Sequence, residues 1–369
     1  MILLSTIINI FEERFRAKYR HSIQPKHESA LAAMKICRQA HGPQMMAKCS
    51  NHECGELRYV PHSCGHRICP HCQNHENWQW IENQLSKLLP VRYFLITFTL
   101  PSQLRKLALR NQKEIYSLMF DCLQETLKTF TKNDKQLGGM AGFTTVLHTH
   151  SRRLNFHPHI HVIMPAASID SETGLWREKR RKFIFSHKAL AKVFRSKLLE
   201  AIVDCGLPVP AKCPKEWVVD CTDVGKGDKA LIYLGKYLYR GVVQEKDIIN
   251  CDDREVTFRY IDSKTQKEET RTVSGEYFLY LLLQKVLPKG FRRTRSYGFL
   301  HPCSKRLIKF IQLILRINPL RILFKRKPRA GIVCPLCGNP MEIIETMIYR
   351  TPLQFYLKTA KTSRGGKSM

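Results

Sequence analysis

Acid is what this chain has too little of. Against 61 Lys and Arg there are 31 Asp and Glu, so its 369 residues carry a formal net charge of +30. That excess is far beyond what solubility needs and points to a polyanionic partner. No run of about 18 apolar residues occurs, which excludes a membrane-spanning helix. The apolar opening MILLSTIINIF has no basic segment before it and runs straight into Glu12, Glu13 and Arg14. It therefore predicts an amphipathic helix and not a signal peptide, and the expected compartment is a reducing cytoplasm. Neither G-x-x-x-x-G-K-[ST] nor G-x-G-x-x-G is present, which argues against a nucleotide-driven motor, and no nucleotide cofactor is expected. Internal repeats and long low-complexity tracts are absent too. At 43% apolar content, the length allows two or three domains with real cores.

Cysteine is abundant and clustered. Of fourteen, Cys49, Cys54, Cys64, Cys69 and Cys72 share one short window, and Cys334 and Cys337 form an isolated C-x-x-C pair. Clustered pairs in a basic, unsecreted chain favour metal over disulfides. Cys49, Cys54, Cys69 and Cys72 are the expected ligands of one structural zinc holding a coreless loop, with His52, Cys64, His66 and His71 as substitutes. Cys334-Pro-Leu-Cys337-Gly has the form of a single zinc knuckle, but no partner pair follows it. The scattered cysteines, Cys37 among them, read as small buried hydrophobes.

Periodicity predicts helices over the first 45 residues, 77–89, 103–131, 188–205 and 228–240, and strands over 91–101, 142–150, 157–165 and about 216–221. Residues 254–275 predict a hairpin turning at 262–267. This order is that of an α+β domain with a mostly antiparallel sheet. The expected division is 1–89, a helical and zinc-binding part; 90–300, the main domain; and 301–369, a segment with nine basic residues and no acid in 301–330, ending in the C-x-x-C tail.

Two patterns carry chemistry. In an extended strand alternate side chains share a face, so His159 and His161 point one way while Ile160, Val162 and Met164 point to a core. Neighbouring imidazoles on a rigid strand are a preformed pair of ligands for a divalent cation. His148 and His150 end the preceding strand, and the short link 151–156 would lay the two antiparallel. In the helix 228–240, Leu231, Leu234 and Leu238 make an apolar stripe, and Tyr233 and Tyr237 fall on nearly the opposite side with Lys229, Lys236 and Arg240 beside them. Two phenols among cations suit phosphate chemistry, the cations binding phosphate and helping a weak nucleophile ionise.

SCGHRICPHC (63–72), LLPVRYFLITFTLP (88–101), NFHPHIHVIMP (155–165), YLGKY (233–237) and LPKGFRRTRSYGFL (287–300) follow one another in an order that resembles the two-tyrosine HUH (His-hydrophobic-His) transposases of rolling-circle bacterial insertion sequences. The resemblance implies an antiparallel five-stranded sheet with packed helices, the HUH nuclease domain over 90–300, and a small N-terminal zinc-binding domain over 1–89 that recognises DNA. It implies catalytic Mg2+ or Mn2+ on His159 and His161, and Tyr233 and Tyr237 as nucleophiles. Related relaxases place a His about eleven residues before the first of the pair, which here is His148. The first cysteine gap is wider than the family's two-residue spacing, leaving Cys49 against His52 open. Lys285 stands where a His is expected and is assigned no role.

The implied reaction is nicking and rejoining of single-stranded DNA at element ends and target through a 5′-phosphotyrosine link, with Lys229, Lys236, Arg240 and the basic segments 177–182, 289–295 and 301–330 holding the strand. A plasmid replication initiator or relaxase would use the same site. A non-catalytic zinc-dependent DNA-binding regulator would explain the charge and the cysteines but not the histidine pair or the tyrosine face.

Overall fold

The structure, a computed structural model, describes residues 2–39, 42–69, 72, 74–170, 172–239, 243–262, 265–317 and 331–347. Two helices, α1 (Leu4–Tyr19) and α2 (Pro25–Lys35), precede the hairpin β1 (Gln44–Cys49) and β2 (Leu57–Pro61), then α3 (Asn74–Leu85) and β3 (Tyr93–Thr99). Next come α4 (Ser102–Arg110), α5 (Gln112–Asn133), β4 (Met140–Ala141), β5 (Phe143–His150), β6 (Phe156–Pro165), β7 (Ala167–Ile169) and β8 (Trp176–Glu178). The chain continues through α6 (His187–Asp204), β9 (Val219–Asp223), α7 (Asp228–Tyr239), β10 (Ile248–Cys251), β11 (Glu255–Ile261), β12 (Glu268–Ser274) and α8 (Gly275–Leu283). It ends with β13 (Thr294–Tyr297), α9 (Lys305–Ile314), β14 (Ile332–Val333) and β15 (Pro340–Met347).

The centre is a five-stranded sheet in the order β13-β5-β6-β3-β9, antiparallel at every pairing. Its strands bury both faces, which is why β3 reads as a nearly continuous apolar run. Phe94, Ile96, Phe98, Ile160, Val162 and Met164 face a core closed by α4, α5 and α6. Tyr93, Val146 and Ile163 face the opposite core, closed by α3, α7 and α9. The architecture is thus helices on both sides of an antiparallel sheet. His159 and His161, out of phase with Ile160 and Val162, open towards the side that carries α7. Alternation along one strand and the placement of one helix therefore bring the histidine pair and Tyr233 to the same face.

Three details differ from the sequence reading. The helix expected over 103–131 is broken at Asn111, whose backbone leaves the helical region (φ −124°, ψ 55°). Its side-chain amide donates to the Leu107 carbonyl at 3.1 Å, the local competition that makes Asn a poor mid-helix residue. The helices of the first 45 residues do not stand apart from the rest. Ile7, Phe11 and Leu31 share a core with Val256, Phe258 and Phe278, so α1 and α2 pack on α8 and on the three-stranded sheet β10-β11-β12. The C-terminal ribbon also returns to the start: β15 pairs with β1 in the sheet β14-β15-β1-β2. Both packings cross the divisions expected at 89 and 300. No described helix is long and apolar enough to cross a membrane.

Candidate active site and metal-binding clusters

The β5–β6 ladder places His148 directly opposite His159, and β3 lies on the other side with Thr97 opposite His161 and Thr99 opposite His159. His148, His159 and His161 each offer a ring nitrogen, and these atoms lie within 4.8 Å of one another. Two of the rings have their Nδ1 engaged. Thr97 Oγ1 is 2.9 Å from Nδ1 of His161, and the His157 carbonyl accepts from Nδ1 of His159 at 2.7 Å. The carbonyl, which can only accept, fixes the His159 tautomer that leaves Nε2 with its lone pair, and the Thr97 hydroxyl accommodates the same state of His161, as in metal-binding histidines. Nε2 of His148 is buried with no hydrogen-bond partner. Burial, and then the neighbouring imidazoles, hold His148 well below the usual histidine range and push His161 down to about 3; burial also lowers His159. All three are therefore neutral near pH 7, the state a metal ligand needs, and the set fits a divalent cation. The other two histidines of the pair of strands do not converge. A β-bulge between His148 and His150 turns His150 against Phe156, and His157 bonds to Arg105.

A cavity of about 330 Å³ opens over the triad, and Tyr233 of α7 lines it. Leu231, Leu234 and Leu238 are buried, while Tyr233 is 41% exposed. A Cβ on Gly235 would run into the Ile81 side chain, so the glycine of YLGKY lets α7 press closely on α3. Arg152, in the β5–β6 turn, donates to the Tyr233 hydroxyl oxygen at 3.3 Å and orients the phenol. Lys229 is exposed one turn before Tyr233 and does not line the cavity. The side chains of Lys236 and Tyr237 and the whole of Arg240 lie outside the described residues.

The cavity wall is cationic. Lys285 is 4% exposed, its Nζ has no hydrogen-bond partner, and burial followed by the Arg293 charge pushes it down to about 7. Arg293 donates to the Leu238 carbonyl at 2.6 Å, pinning α7 to the segment that leads into β13. Arg67, between two zinc-knuckle cysteines in sequence, also reaches the cavity and donates to the Phe291 carbonyl at 3.0 Å. No Asp or Glu is among the described residues that line it.

The cysteines form two tetrads, and neither is the expected one. Cys37, Cys64, Cys69 and Cys72 converge, as do Cys49, Cys54, Cys334 and Cys337. The hairpin explains the error. Gln44 pairs with Pro61 at its base and Lys48 with Leu57 near its tip, and a strand of this length spans roughly 17–20 Å. Cys49 and Cys54 sit at the tip, too far from Cys69 and Cys72 at the base to share an ion with them. Cys37 precedes the base, so it is drawn into the first tetrad with Cys64; it is not a mere core filler. Cys334 and Cys337 do have a partner pair, 280 and more residues upstream.

Residues 7–100 match the transposase zinc-binding domain of the IS91 type, and residues 142–205 and 208–307 match a family described as "Putative transposase". Over 321 residues the chain is 30% identical to "Putative transposase y4qJ" of Sinorhizobium fredii, covering 80% of each protein. The chain belongs to the IS91-type transposases. The transposase is also 28% identical over 325 residues to the transposase for insertion sequence element IS801 of Pseudomonas savastanoi pv. phaseolicola, covering 79% of this chain and 77% of the relative. A fainter likeness, with a TM-score of 0.27 and 19% identity over 34% of this chain and 48% of the other, is to the conjugative relaxase TrwC in complex with mutant OriT DNA; it is too slight to carry an argument.

Sequence reasoning missed Lys285 and Arg67 of the transposase as cavity cations, placed Arg293 only within the strand-holding segment 289–295, and missed Cys37, with Cys64 named only as a substitute, as one half of a tetrad. A count could have found the cysteines. Three pairs plus Cys37 and Cys64 make eight thiols, enough for two complete sites. For Lys285 the only signal was its place before an apolar V-L-P turn, where a charged residue has no reason to be buried unless something binds it.

Proposed function

We propose that this transposase nicks and rejoins single-stranded DNA at the ends of its element, during rolling-circle-type transposition, with Tyr233 and Tyr237 as the nucleophiles. The observation that carries the reading is the sharing of one cavity by three neutral imidazoles and the Tyr233 phenol. A divalent cation, Mg2+ or Mn2+, held by His148, His159 and His161 would polarise the scissile phosphodiester and neutralise its charge. The chain's own side chains do the rest. Arg152 aligns the phenol; Lys285, Arg293 and Arg67 receive the phosphate and flanking backbone in a wall whose described residues include no carboxylate. The tyrosine oxygen attacks phosphorus in line, a P–O bond to the 3′-oxygen breaks, and that oxygen leaves as a hydroxyl. The phenol loses one proton and the leaving oxygen gains one, so the step is proton-neutral. The phosphotyrosine link conserves the phosphodiester energy, which lets a 3′-hydroxyl reverse the step without a nucleotide cofactor. A second tyrosine four residues on, one turn along α7, lets the protein hold one end while cutting another.

The test is incubation of the full chain with a labelled single-stranded oligonucleotide carrying the element end and Mn2+. A denaturant-resistant protein–DNA adduct is expected, and the double variant Tyr233→Phe/Tyr237→Phe should form none. His159→Ala with His161→Ala should bind the strand and fail to cut it. An adduct that persists without both tyrosines, or that forms equally on duplex DNA alone, rules the reading out.

A further inference from the structure

We propose that Cys49, Cys54, Cys334 and Cys337 hold a second structural zinc ion, which clasps the C-terminal ribbon β14–β15 onto the N-terminal hairpin β1–β2. The tetrad draws half its ligands from residues beyond the stretches that match either family, and it does not depend on the nicking chemistry above.

Sulfur spacing is the first support. A zinc–sulfur bond of about 2.3 Å in a tetrahedron requires sulfur atoms about 3.8 Å apart. Cys49 and Cys337 have their Sγ atoms 3.4 Å apart and Cys54 and Cys334 are at 3.7 Å, with all four within 4.8 Å. The first tetrad, inside the zinc-binding-domain match, has the same dimensions: 3.7 Å for Cys37–Cys69, 3.7 Å for Cys37–Cys72 and 3.6 Å for Cys64–Cys72. These separations are far from the roughly 2.05 Å of a disulfide.

The turns are built for thiolates. Each pair ends in Cys-Gly, and Gly55 (φ +60°) and Gly338 (φ +72°) take the left-handed conformation that swings following amides towards sulfur. The Asn339 side-chain amide donates to Cys337 Sγ at 3.5 Å, and the Gly338 N–H closes the knuckle on the Cys334 carbonyl at 2.9 Å. At the opposite corner the Cys49 N–H bonds the Glu56 carbonyl at 2.8 Å.

The ribbon also has too little core to hold itself. Its buried cluster is Ala47, Cys49, Cys334 and Met341, half of it cysteine, while Leu57, Tyr59, Leu336, Ile343 and Ile344 are exposed. So small an apolar centre does not offset the entropy of ordering a four-stranded unit closed over 280 and more residues, and a metal does. Four sulfur ligands leave no open position, so the ion is structural, and the soft donors exclude Mg2+ or Ca2+. The clasped ribbon follows directly in sequence on 318–330, which holds five basic residues and no acid.

Elemental analysis of the full chain, purified under reducing conditions, tests the clasp. Two zinc ions per chain are expected, falling to one in Cys334→Ser/Cys337→Ser. A measurement on the unaltered protein covers the case in which that variant fails to fold. Cys205, Cys303 and Cys337 are all exposed, so all three should react with iodoacetamide unless something holds the last one. Under native conditions Cys205 and Cys303 should label while Cys337 stays protected, and a chelator should release it. One zinc per chain, iron at the second site, an unchanged zinc count in the variant, or Cys337 labelling as fast as Cys303 would each overturn the proposal.

Discussion

Replacing Lys285 by Met should make the transposase more heat-stable and less active. The amine is buried against Arg293 with no hydrogen bond to lose, and its ionisation lies at about 7 against an ordinary value of 10.5. Between those two values the unfolded chain holds a proton that the folded chain has given up, so the cost of burying the amine is full below pH 7 and vanishes above about 10.5. At about 1.4 kcal/mol per unit of displacement, that cost is about 4 kcal/mol at pH 7 and about 2 kcal/mol at pH 9, as upper bounds. Met fills nearly the same volume without the charge. With about 2.1 cal/mol/K of unfolding entropy per residue, the gain in Tm is about 5 °C at pH 7 and roughly half that at pH 9. Thermal melts of variant and parent at both pH values, at matched zinc and salt, measure it. Phosphate is the counter-charge this amine lacks, so the same variant should lose adduct formation with single-stranded DNA. A variant less stable than its parent at pH 7, or a gain that does not shrink with pH, refutes the burial reasoning; full adduct formation refutes the phosphate contact.

Thr97→Val removes the oxygen that engages Nδ1 of His161 and should weaken Mn2+ binding by about 10–100-fold, read by calorimetry, with the fold intact. Unaltered affinity would mean that His161 is not a ligand through Nε2. Gly235→Ala puts a methyl group into Ile81 and should destabilise the protein by about 1–3 kcal/mol despite the better helix propensity of Ala; a rise in Tm would contradict the close packing of α7 on α3. The three imidazoles are all depressed by burial, so nicking at saturating Mn2+ should show no inflection near pH 6.5. With the metal removed, stability should instead fall as pH drops from 6.5 towards about 3, because unfolded imidazoles take up protons that folded His161 refuses. A His161→Gln variant should show a shallower acid decline in the same melts, and an equal decline would place the cause elsewhere.

Short-range physics made much of this protein legible from its sequence. The +30 charge, the alternation of His159 and His161 against Ile160 and Val162, and the leucine stripe opposite Tyr233 are consequences of composition and of periods of two and 3.6 residues. Residue order was enough for four of the five central strands, for the hairpin 254–275 and for the antiparallel β5–β6 turn, because strand alternation and tight turns are local; the short β13, which joins the sheet by pairing with the distant β5, was not read. What lay beyond its reach joins distant segments. Spacing paired Cys49 and Cys54 with Cys69 and Cys72, but a hairpin of ordinary strand rise separates its tip from its base, and only the pairing of β1 with β15 brings Cys334 and Cys337 to that tip. Lys285 carried no local pattern, and the basic run 289–295 did not single out Arg293, since a cation's role depends on what surrounds it. Burial by α1, α2 and α8 and the approach of α7 to the sheet are decided by which apolar faces meet, a property of the packed chain that no single segment encodes.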